Sequence, residues 1–262
     1  MALLRRRPDR IKGVAGSLIG KRLLVADSAT PAGAGVVQVV AAAGADVVAA
    51  SADHVAIDLL LRQLTDSPGS IRGATTTADW TVEDFGNWRR PPDAVVVCPG
   101  QWLLGTDDEA ASLTPLRAVT FAESAAALMR DTGRLGTVVF IATVSSARDD
   151  TAGSSYLRAE AQRLARLFSP NGIRVNTIAV GHVATNRRGR PVPSRSAPLG
   201  HISTHPVEVG KAAWFLINDE LSAGFTGAEL NLDRGASLLR PDWCSQLFRQ
   251  GPSPTSRQPT PA

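Results

Sequence analysis

The sequence predicts an α/β fold in which a doubly wound parallel sheet of about seven strands carries helices on both faces. Short apolar runs rich in β-branched residues recur along the chain, as expected of buried parallel strands: Arg22 to Ala26, Ala45 to Ala50, Asp93 to Gly100 and Val138 to Ala142. Helical patterns alternate with these runs, for example over Leu116 to Met129 and Pro206 to Ile217. The chain of 262 residues is long enough for one such domain and leaves little room for a second.

Composition divides the chain into three regions. We place a basic arm at residues 1–19, a single domain at 20–249 and a disordered tail at 250–262, which reads QGPSPTSRQPTPA. The arm contains RRRPDR without an apolar segment long enough for a secretory signal. The longest apolar stretch, 36–50, is interrupted by Gly44 and Asp46 and is too short to cross a membrane. We therefore expect no membrane association.

Charge and cysteine content exclude several classes of function. The formal charge is only +4, and aromatic residues do not alternate with basic ones as in a single-strand binder, so we expect no nucleic-acid partner. Cys98 and Cys244 are too few for a disulfide framework, which favours a reducing, cytoplasmic location. Cys98 is best interpreted as a buried apolar residue. The histidines lack the spacing of metal ligands, so we expect no metal site.

The first strand leads into a glycine-bearing turn. DSATPAGAG follows Arg22 to Ala26, and an apolar helix follows the turn. In such a unit the turn lets the backbone approach a pyrophosphate, while the helix N-terminus offers free N–H groups and a positive dipole end. Gly33 and Gly35 are therefore candidate dinucleotide-binding residues.

The stretch from Gly136 to Arg166 contains the only tyrosine of the chain, Tyr156. A buried strand ends there in a polar loop, and Tyr156 stands near the start of a helix with one apolar stripe. A strand, a loop rich in hydroxyl groups and a tyrosine at a helix start make a plausible catalytic site.

These two stretches together resemble the short-chain dehydrogenase/reductase family, whose Rossmann-like fold carries a catalytic serine and a YxxxK motif. The resemblance places Thr143 at the serine, Tyr156 at the tyrosine and Glu160 at the lysine. It also aligns the turn with the family's TGxxxGxG, with Ser28 and Ala29 at its first two positions. The resemblance thus implies NAD or NADP as cofactor and a hydroxyl pair at the catalytic site, but no lysine.

Other elements of the family are partly present. GIRVNTIAVGHVAT resembles RVNxIxPGxVxT and supplies Gly181, the strand that should end in NNAG keeps only Gly100, and the predicted helix at Leu116 to Met129 lacks the family's asparagine. Ser51 ends the second strand, where it favours NADP slightly over NAD. Asp79 falls where the family places an aspartate near the adenine, although a helix-capping or turn role is an equal alternative.

Residues 186–206 contain arginines, prolines and glycines without periodicity, which predicts a mobile loop. The family places its substrate lid there, so Arg187, Arg188 and Arg190 are candidate ligands for an anionic or carrier-linked small molecule; a solvated basic loop is the alternative. The segment FTGAELNLDRG resembles the family's last strand, which commonly forms a subunit interface. We therefore expect a homo-oligomer or a hetero-oligomer with an active relative.

The residue at the lysine position decides between the functional hypotheses. At about 8 Å and an effective dielectric of about 20, a unit charge is worth roughly 2 kcal/mol, so exchanging lysine for ionised Glu160 disfavours the tyrosinate by roughly 4 kcal/mol. The sequence therefore favours a non-catalytic or atypical subunit. The alternatives are an NAD(P)H-dependent oxidoreductase that still uses Thr143 and Tyr156, and a stand-alone ligand-binding module.

Overall fold

In the computed structural model, residues 13–76, 91–99, 114–143, 152–186 and 189–238 are described. The strands in these ranges are β1 (Arg22–Ala26), β2 (Asp46–Ser51), β3 (Ile71–Thr75), β4 (Ala94–Val97), β5 (Gly136–Thr143), β6 (Ile173–Val180) and β7 (Glu229–Leu232). The helices are α1 (Pro31–Ala42), α2 (His54–Gln63), α3 (Pro115–Asp131), α4 (Ala152–Phe168), α5 (Pro206–Ile217) and the short α6 (Asp219–Ser222). All strand pairs are parallel, in the order β3-β2-β1-β4-β5-β6-β7, which confirms the predicted fold class.

The sheet separates two apolar cores. Leu23 and Val25 of β1 enter the core shared with α1 and α5, whereas Leu24 and Ala26 enter the core shared with α3 and α4. All four side chains are fully buried. Strands covered on both faces explain why the sequence shows continuous apolar runs instead of alternation.

Parallel pairing brings the carboxyl ends of the strands to one edge of the sheet. The register places Ala26 beside both Ala50 and Val97, and Thr143 beside Val180. The residues that follow these positions therefore share one edge, where ligands bind in open α/β sheets.

Helices α1 and α5 approach each other at glycines. A methyl group at Gly35 would lie far inside contact distance of the Pro206 carbonyl oxygen, and one at Gly210 would overlap the Gly35 carbonyl oxygen in the same way. Both glycines are thus required by the protein's own packing.

The RVN segment of β6 bonds to the segment that leads into the edge strand β7. The buried Arg174 guanidinium donates to the Ser222 carbonyl at 3.1 Å and pairs with Asp219 at 3.0 Å. Asn176 is fully buried, donates to the Phe225 carbonyl at 2.8 Å and accepts the Ala228 N–H at 3.0 Å. This segment, which resembles the family motif closely, therefore has a structural role.

The packed domain begins earlier than residue 20. Val14 and Leu18 belong to the first core, and the Trp214 indole donates to the Ser17 hydroxyl at 2.7 Å. Part of the segment that the sequence assigned to a basic arm is therefore built into the fold; residues 1–12 and the tail lie outside the described residues.

The loop between β6 and α5 is more regular than its sequence predicts. Isolated bridges pair Thr185 with Pro191 and Pro193 with Ile202, and the buried Ser203 hydroxyl donates to the Ala184 carbonyl at 2.7 Å. The sequence does not reveal this pairing, because each bridge involves a single residue pair and produces no alternation of apolar and polar residues. The expected mobility of this loop stays a prediction.

We expect Gly35→Ala to lower the free energy of unfolding by at least about 2 kcal/mol, because overlap with Pro206 outweighs the gain of about 1 kcal/mol in helix propensity. Chemical denaturation measures this difference. Gly224→Ala is the matched control, since no heavy atom lies within 4 Å of a methyl group there. Equal stability of the two variants would show that α1 and α5 are not held in close contact.

Candidate functional site

Thr143 and the start of α4 are joined at the carboxyl edge of the sheet. Thr143 is the last residue of β5, and the Ser154 hydroxyl donates a short hydrogen bond to its carbonyl oxygen. Tyr156 follows two residues later, half-buried, with its side chain packed against the core of α3 and α4. The connecting loop, residues 144–151, lies outside the described residues. A bond that the sequence analysis did not anticipate therefore ties the end of β5 to the start of α4, the two elements that carry Thr143 and Tyr156.

Glu160 is held in an ion-pair cluster between two helices. The Arg163 Nε donates to Glu160 Oε2 at 2.6 Å, and its Nη2 donates to Glu123 Oε2 of α3, also at 2.6 Å. The hydrogen bonds from Glu123 and then from Glu160 raise the pKa of Arg163 above its usual value. We call Glu160, Arg163 and Glu123 the interhelical clamp.

The clamp turns Glu160 toward the next turn of α4. Residues four apart on a helix share a face, so Glu160 begins on the same face as Tyr156. Its carboxylate, with 20% of the side chain exposed, nevertheless meets Arg163. The second nearby cation, Arg158, pairs with Glu229 of β7 at 3.4 Å. Each of these two arginines thus pairs with an acid.

Polar groups of the predicted nucleotide-binding turn form hydrogen bonds within the turn and to β2. Ser28 is fully buried, and both its N–H and its hydroxyl donate to the Ala50 carbonyl, at 2.9 and 3.2 Å. The Thr30 hydroxyl caps α1 by accepting the Gly33 N–H at 3.0 Å, and Pro31 removes another donor from the first turn. A methyl group at Gly33 would lie 2.7 Å from the Asp27 carbonyl oxygen, so the turn itself needs this glycine.

The side chain of Ser51, the last residue of β2, points into the protein. Ser51 is buried, its hydroxyl lies 3.5 Å from Asp27 Oδ1, and it accepts the Asp53 N–H at 3.3 Å. A hydroxyl placed this way is directed to a carboxylate, which does not help to bind a 2′-phosphate. The neighbouring Cys98 is buried, and burial, followed by the charge of Asp27, raises the pKa of its thiol well above the usual value. Cys98 is therefore a protonated core residue, as predicted.

Gly181, directly after β6, lies close to the residue that follows β7. A methyl group there would lie 3.1 Å from the Asp233 Cα, so glycine permits the two backbones to approach. The buried Asp233 carboxylate accepts the Gly235 N–H at 2.9 Å and the Ser237 N–H at 2.7 Å. Burial acts to raise the pKa of Asp233, but these hydrogen bonds outweigh it and lower the pKa below its usual value.

The loop between β6 and α5 is tied to the N-terminus of α5. The His205 Nδ1 accepts the Val207 N–H at 3.1 Å, so its Nε2 carries the hydrogen that reaches the Gly189 carbonyl oxygen at 3.0 Å. Arg190 is exposed, and its N–H donates to Asn186 at 3.2 Å. Arg187 and Arg188, together with Asp79 and Gly100, lie outside the described residues.

Comparison with known proteins now places the chain. Residues 112–237 match the family model described as enoyl-(acyl carrier protein) reductase. A short-chain type dehydrogenase/reductase from Mycobacterium marinum superimposes with a TM-score of 0.69 and 20% identity, over 85% of this chain and 97% of the other. The chain has the fold of the short-chain dehydrogenase/reductase (SDR) family, and residues 112–237 also match that family at the level of sequence.

Two further relatives illustrate the range of this similarity. L-Sorbose reductase from Gluconobacter frateurii, solved with NADPH and L-sorbose, has a TM-score of 0.70 and 18% identity, over 85% of this chain and 98% of the other. Protein FixR of Bradyrhizobium diazoefficiens is 34% identical over 113 residues. That match spans 39% of this chain and only 40% of FixR. Within the described part of the SDR chain, none of the helices has the length and apolarity that a bilayer crossing requires.

Three features of this SDR site escaped the sequence analysis. The clamp partner Glu123 lies 40 residues from Arg163, a separation that no local pattern reveals. Ser154 is masked by the many hydroxyl residues around it. Asp27 was treated as part of a turn, although an acid directly after the first strand of a suspected nucleotide site is a signal that could have been weighed.

We expect the clamp to contribute a coupling free energy of about 0.3 to 1 kcal/mol between Glu123 and Arg163, because the pair is partly exposed. A double-mutant cycle with Glu123→Gln and Arg163→Gln, followed by chemical denaturation, measures it. Arg166→Gln is the control on the same helix, since its guanidinium donates to the Gln162 carbonyl. Coupling of Glu123 to Arg166 as strong as that to Arg163 would contradict the clamp.

We also expect Asp233→Asn to destabilise the protein by about 1 to 2 kcal/mol at about pH 7, since an amide oxygen replaces a charged acceptor. The pKa of Asp233 is lowered in the folded state, so the carboxylate stabilises the fold above its unfolded pKa of about 3.9 and this stabilisation is lost as the pH falls through the folded value. The difference between the two proteins should therefore shrink below about pH 4. A difference that is constant with pH in urea titrations would refute this role.

Proposed function

We propose that this SDR chain does not perform ordinary NAD(P)H-dependent carbonyl reduction and acts as a non-catalytic or strongly atypical subunit of an SDR oligomer. The observation that carries the proposal is the interhelical clamp, in which the residue at the lysine position of YxxxK is an acid bound to Arg163. A lysine there would favour the tyrosinate and bind the nicotinamide ribose, according to the family resemblance. Glu160 supplies neither a cation nor a free carboxylate.

The clamp does not restore the missing positive charge. It contains two carboxylates and one guanidinium, so its formal charge is negative. Arg163 is seven positions beyond Tyr156, about two helical turns, while Glu160 is only four positions away. The clamp therefore offers no net positive charge of the kind that the family's lysine supplies.

Exposed apolar side chains support an oligomeric role. Leu116 on α3 and Leu167 on α4 are 64% and 48% exposed, and Leu221 and Phe225 before β7 are 49% and 38% exposed. Such apolar side chains suit contact with a second subunit, either a copy of this chain or an active relative. We propose a cytoplasmic setting for that assembly, in keeping with the free, buried Cys98.

A second candidate is an atypical oxidoreductase that uses Thr143 and Tyr156. The Ser154 bond to the Thr143 carbonyl favours it, because this bond fixes the start of α4 against the end of β5 and thus holds both hydroxyl residues at the same edge. A third candidate, binding of an anionic or carrier-linked small molecule, draws support from the exposed Arg190 and Arg195 on the loop.

We expect the purified chain to show no turnover of aldehydes or ketones above the buffer rate with NADH or NADPH. Absorbance at the reduced nicotinamide band measures it across a panel of small, sugar-like and thioester-linked carbonyl compounds. Glu160→Lys tests the charge argument, and Glu123→Gln is the matched control that loosens the clamp without changing the lysine position. Turnover by the parent protein that exceeds the buffer rate and equals that of Glu160→Lys would overturn the proposal.

The oligomeric part of the proposal needs its own measurement. Light scattering coupled to size exclusion should show a dimer or larger species, and purification from the native source should retain a second SDR chain with an intact YxxxK motif if the assembly is mixed. A monomer that carries no second chain would contradict the subunit role.

A further inference from the structure

His205 links the first turn of α5 to the loop that precedes this helix. Its Nδ1 accepts the Val207 N–H at 3.1 Å, and its Nε2 lies 3.0 Å from the Gly189 carbonyl oxygen. Its own backbone N–H donates to Glu208 Oε2 at 2.8 Å, which completes a capping box. One side chain therefore caps α5 and also bonds to a residue that lies 16 positions earlier in the chain.

The described part of the β6–α5 loop, residues 189–204, is also bonded to the segment around β7. The Leu199 N–H donates to the Arg234 carbonyl at 3.0 Å, and the Thr204 hydroxyl donates to a carbonyl of β7 at 3.1 Å. Backbone and hydroxyl groups make these bonds, and neither kind of group titrates between about pH 5 and 8. The bond from His205, in contrast, comes from a side chain that changes its charge in this range.

Both bonds of the His205 ring require the neutral imidazole. Nδ1 accepts a hydrogen bond only when it carries no proton, and Nε2 must carry its hydrogen in order to donate to a carbonyl oxygen. A second proton on the ring would place two N–H groups, those of Nδ1 and of Val207, against each other. Because the two nitrogens belong to one rigid ring, turning Nδ1 away from Val207 also moves Nε2 away from the Gly189 oxygen.

The charged groups around His205 act in opposite directions. The Glu208 carboxylate attracts an imidazolium, but both of its oxygens also accept from Arg234 Nη2, at 2.8 and 2.7 Å. The first turn of α5 presents the positive end of the helix to the ring, which disfavours a second positive charge there. Helix α1, which packs against the start of α5 at Gly35, has no titratable residue. The described segments bonded to this turn, and α5 itself, also carry the exposed Arg190, Arg195, His182, His201 and Lys211 and the buried Asp233, while Arg187 and Arg188 lie outside the described residues.

We propose that His205 is a pH-sensitive latch on the β6–α5 loop. Above about pH 6.5, where a histidine in a peptide titrates, the neutral ring holds Gly189 to the start of α5. Below that range the protonated ring turns away, and the Gly189 end of the loop is released. The loop follows β6 at the carboxyl edge of the sheet, so its release opens that edge to ligands. This inference concerns loop movement, so it does not depend on the proposed loss of proton transfer at Glu160.

Hydrogen exchange of the full chain, followed by mass spectrometry, tests the latch. Exchange is compared at each pH with the rate of an unstructured peptide, which gives a protection factor for each segment. We expect the protection of residues 189–196 to fall about fivefold from about pH 7.5 to about pH 5.5, the factor that corresponds to one net hydrogen bond. Peptides from β1 and α1, which contain no histidine, should keep their protection and serve as the internal reference.

The variant His205→Asn separates the latch from the helix cap. Asparagine is a good N-cap and can accept the Val207 N–H, but its shorter side chain does not reach Gly189. This variant should show low protection of residues 189–196 at both pH values, while the first turn of α5 stays protected. His201→Asn is the matched control, because it removes an exposed histidine of the same loop at a left-handed position that asparagine tolerates, and it should behave like the parent protein.

Equal protection of the loop at both pH values in the parent protein would overturn the inference. It would also fall if His205→Asn kept the pH-dependent change of the parent, or if His201→Asn abolished that change. Should His205→Asn not fold, His205→Ser decides, because serine is another short capping residue. Since exchange is measured without turnover, failure here leaves the argument from Glu160 intact, and turnover by the parent protein tests that argument separately.

Discussion

The close contact of α1 with α5 is the constraint on which the rest of the molecule depends. Gly35 and Gly210 let two helix backbones meet where side chains would otherwise separate them. This contact fixes Pro206 and the N-terminus of α5, and through His205 it fixes the Gly189 end of the β6–α5 loop. The same contact shows that glycines in the β1–α1 turn do not by themselves indicate nucleotide binding, because the fold requires them whether or not a nucleotide binds. Their presence is evidence for the architecture alone.

A similar division runs through the other family motifs. Arg174 and Asn176 are buried and bonded to the segment that leads into β7, and Asp233 caps the turn that follows it. These residues hold the sheet edge and match the family. Glu160, at the position where the resemblance places the lysine, is an acid that bonds to Arg163 within the protein. The scaffold positions of this chain therefore match the family motifs more closely than the lysine position does.

The fold could be predicted from the sequence because buried parallel strands produce continuous apolar runs such as Val138 to Ala142, and these locate the sheet without any tertiary information. The site could be predicted only in part. Thr143, Tyr156 and Glu160 follow from local spacing, but the partner of Glu160 depends on how α3 packs on α4. The left-handed backbone of Asp27 was equally hidden, since no local pattern in the sequence marks it. Pairing across helices and backbone conformation in turns are properties of the packed chain.

Glu160 lies on α4, four positions after the tyrosine to which the family resemblance assigns proton transfer. A tyrosinate is favoured by a nearby cation. Arg163 and Arg158, the arginines nearest to this tyrosine on α4, are each paired with acids. These pairs make both arginines poor substitutes for the family's lysine, and the proposed loss of ordinary carbonyl reduction rests on this pairing.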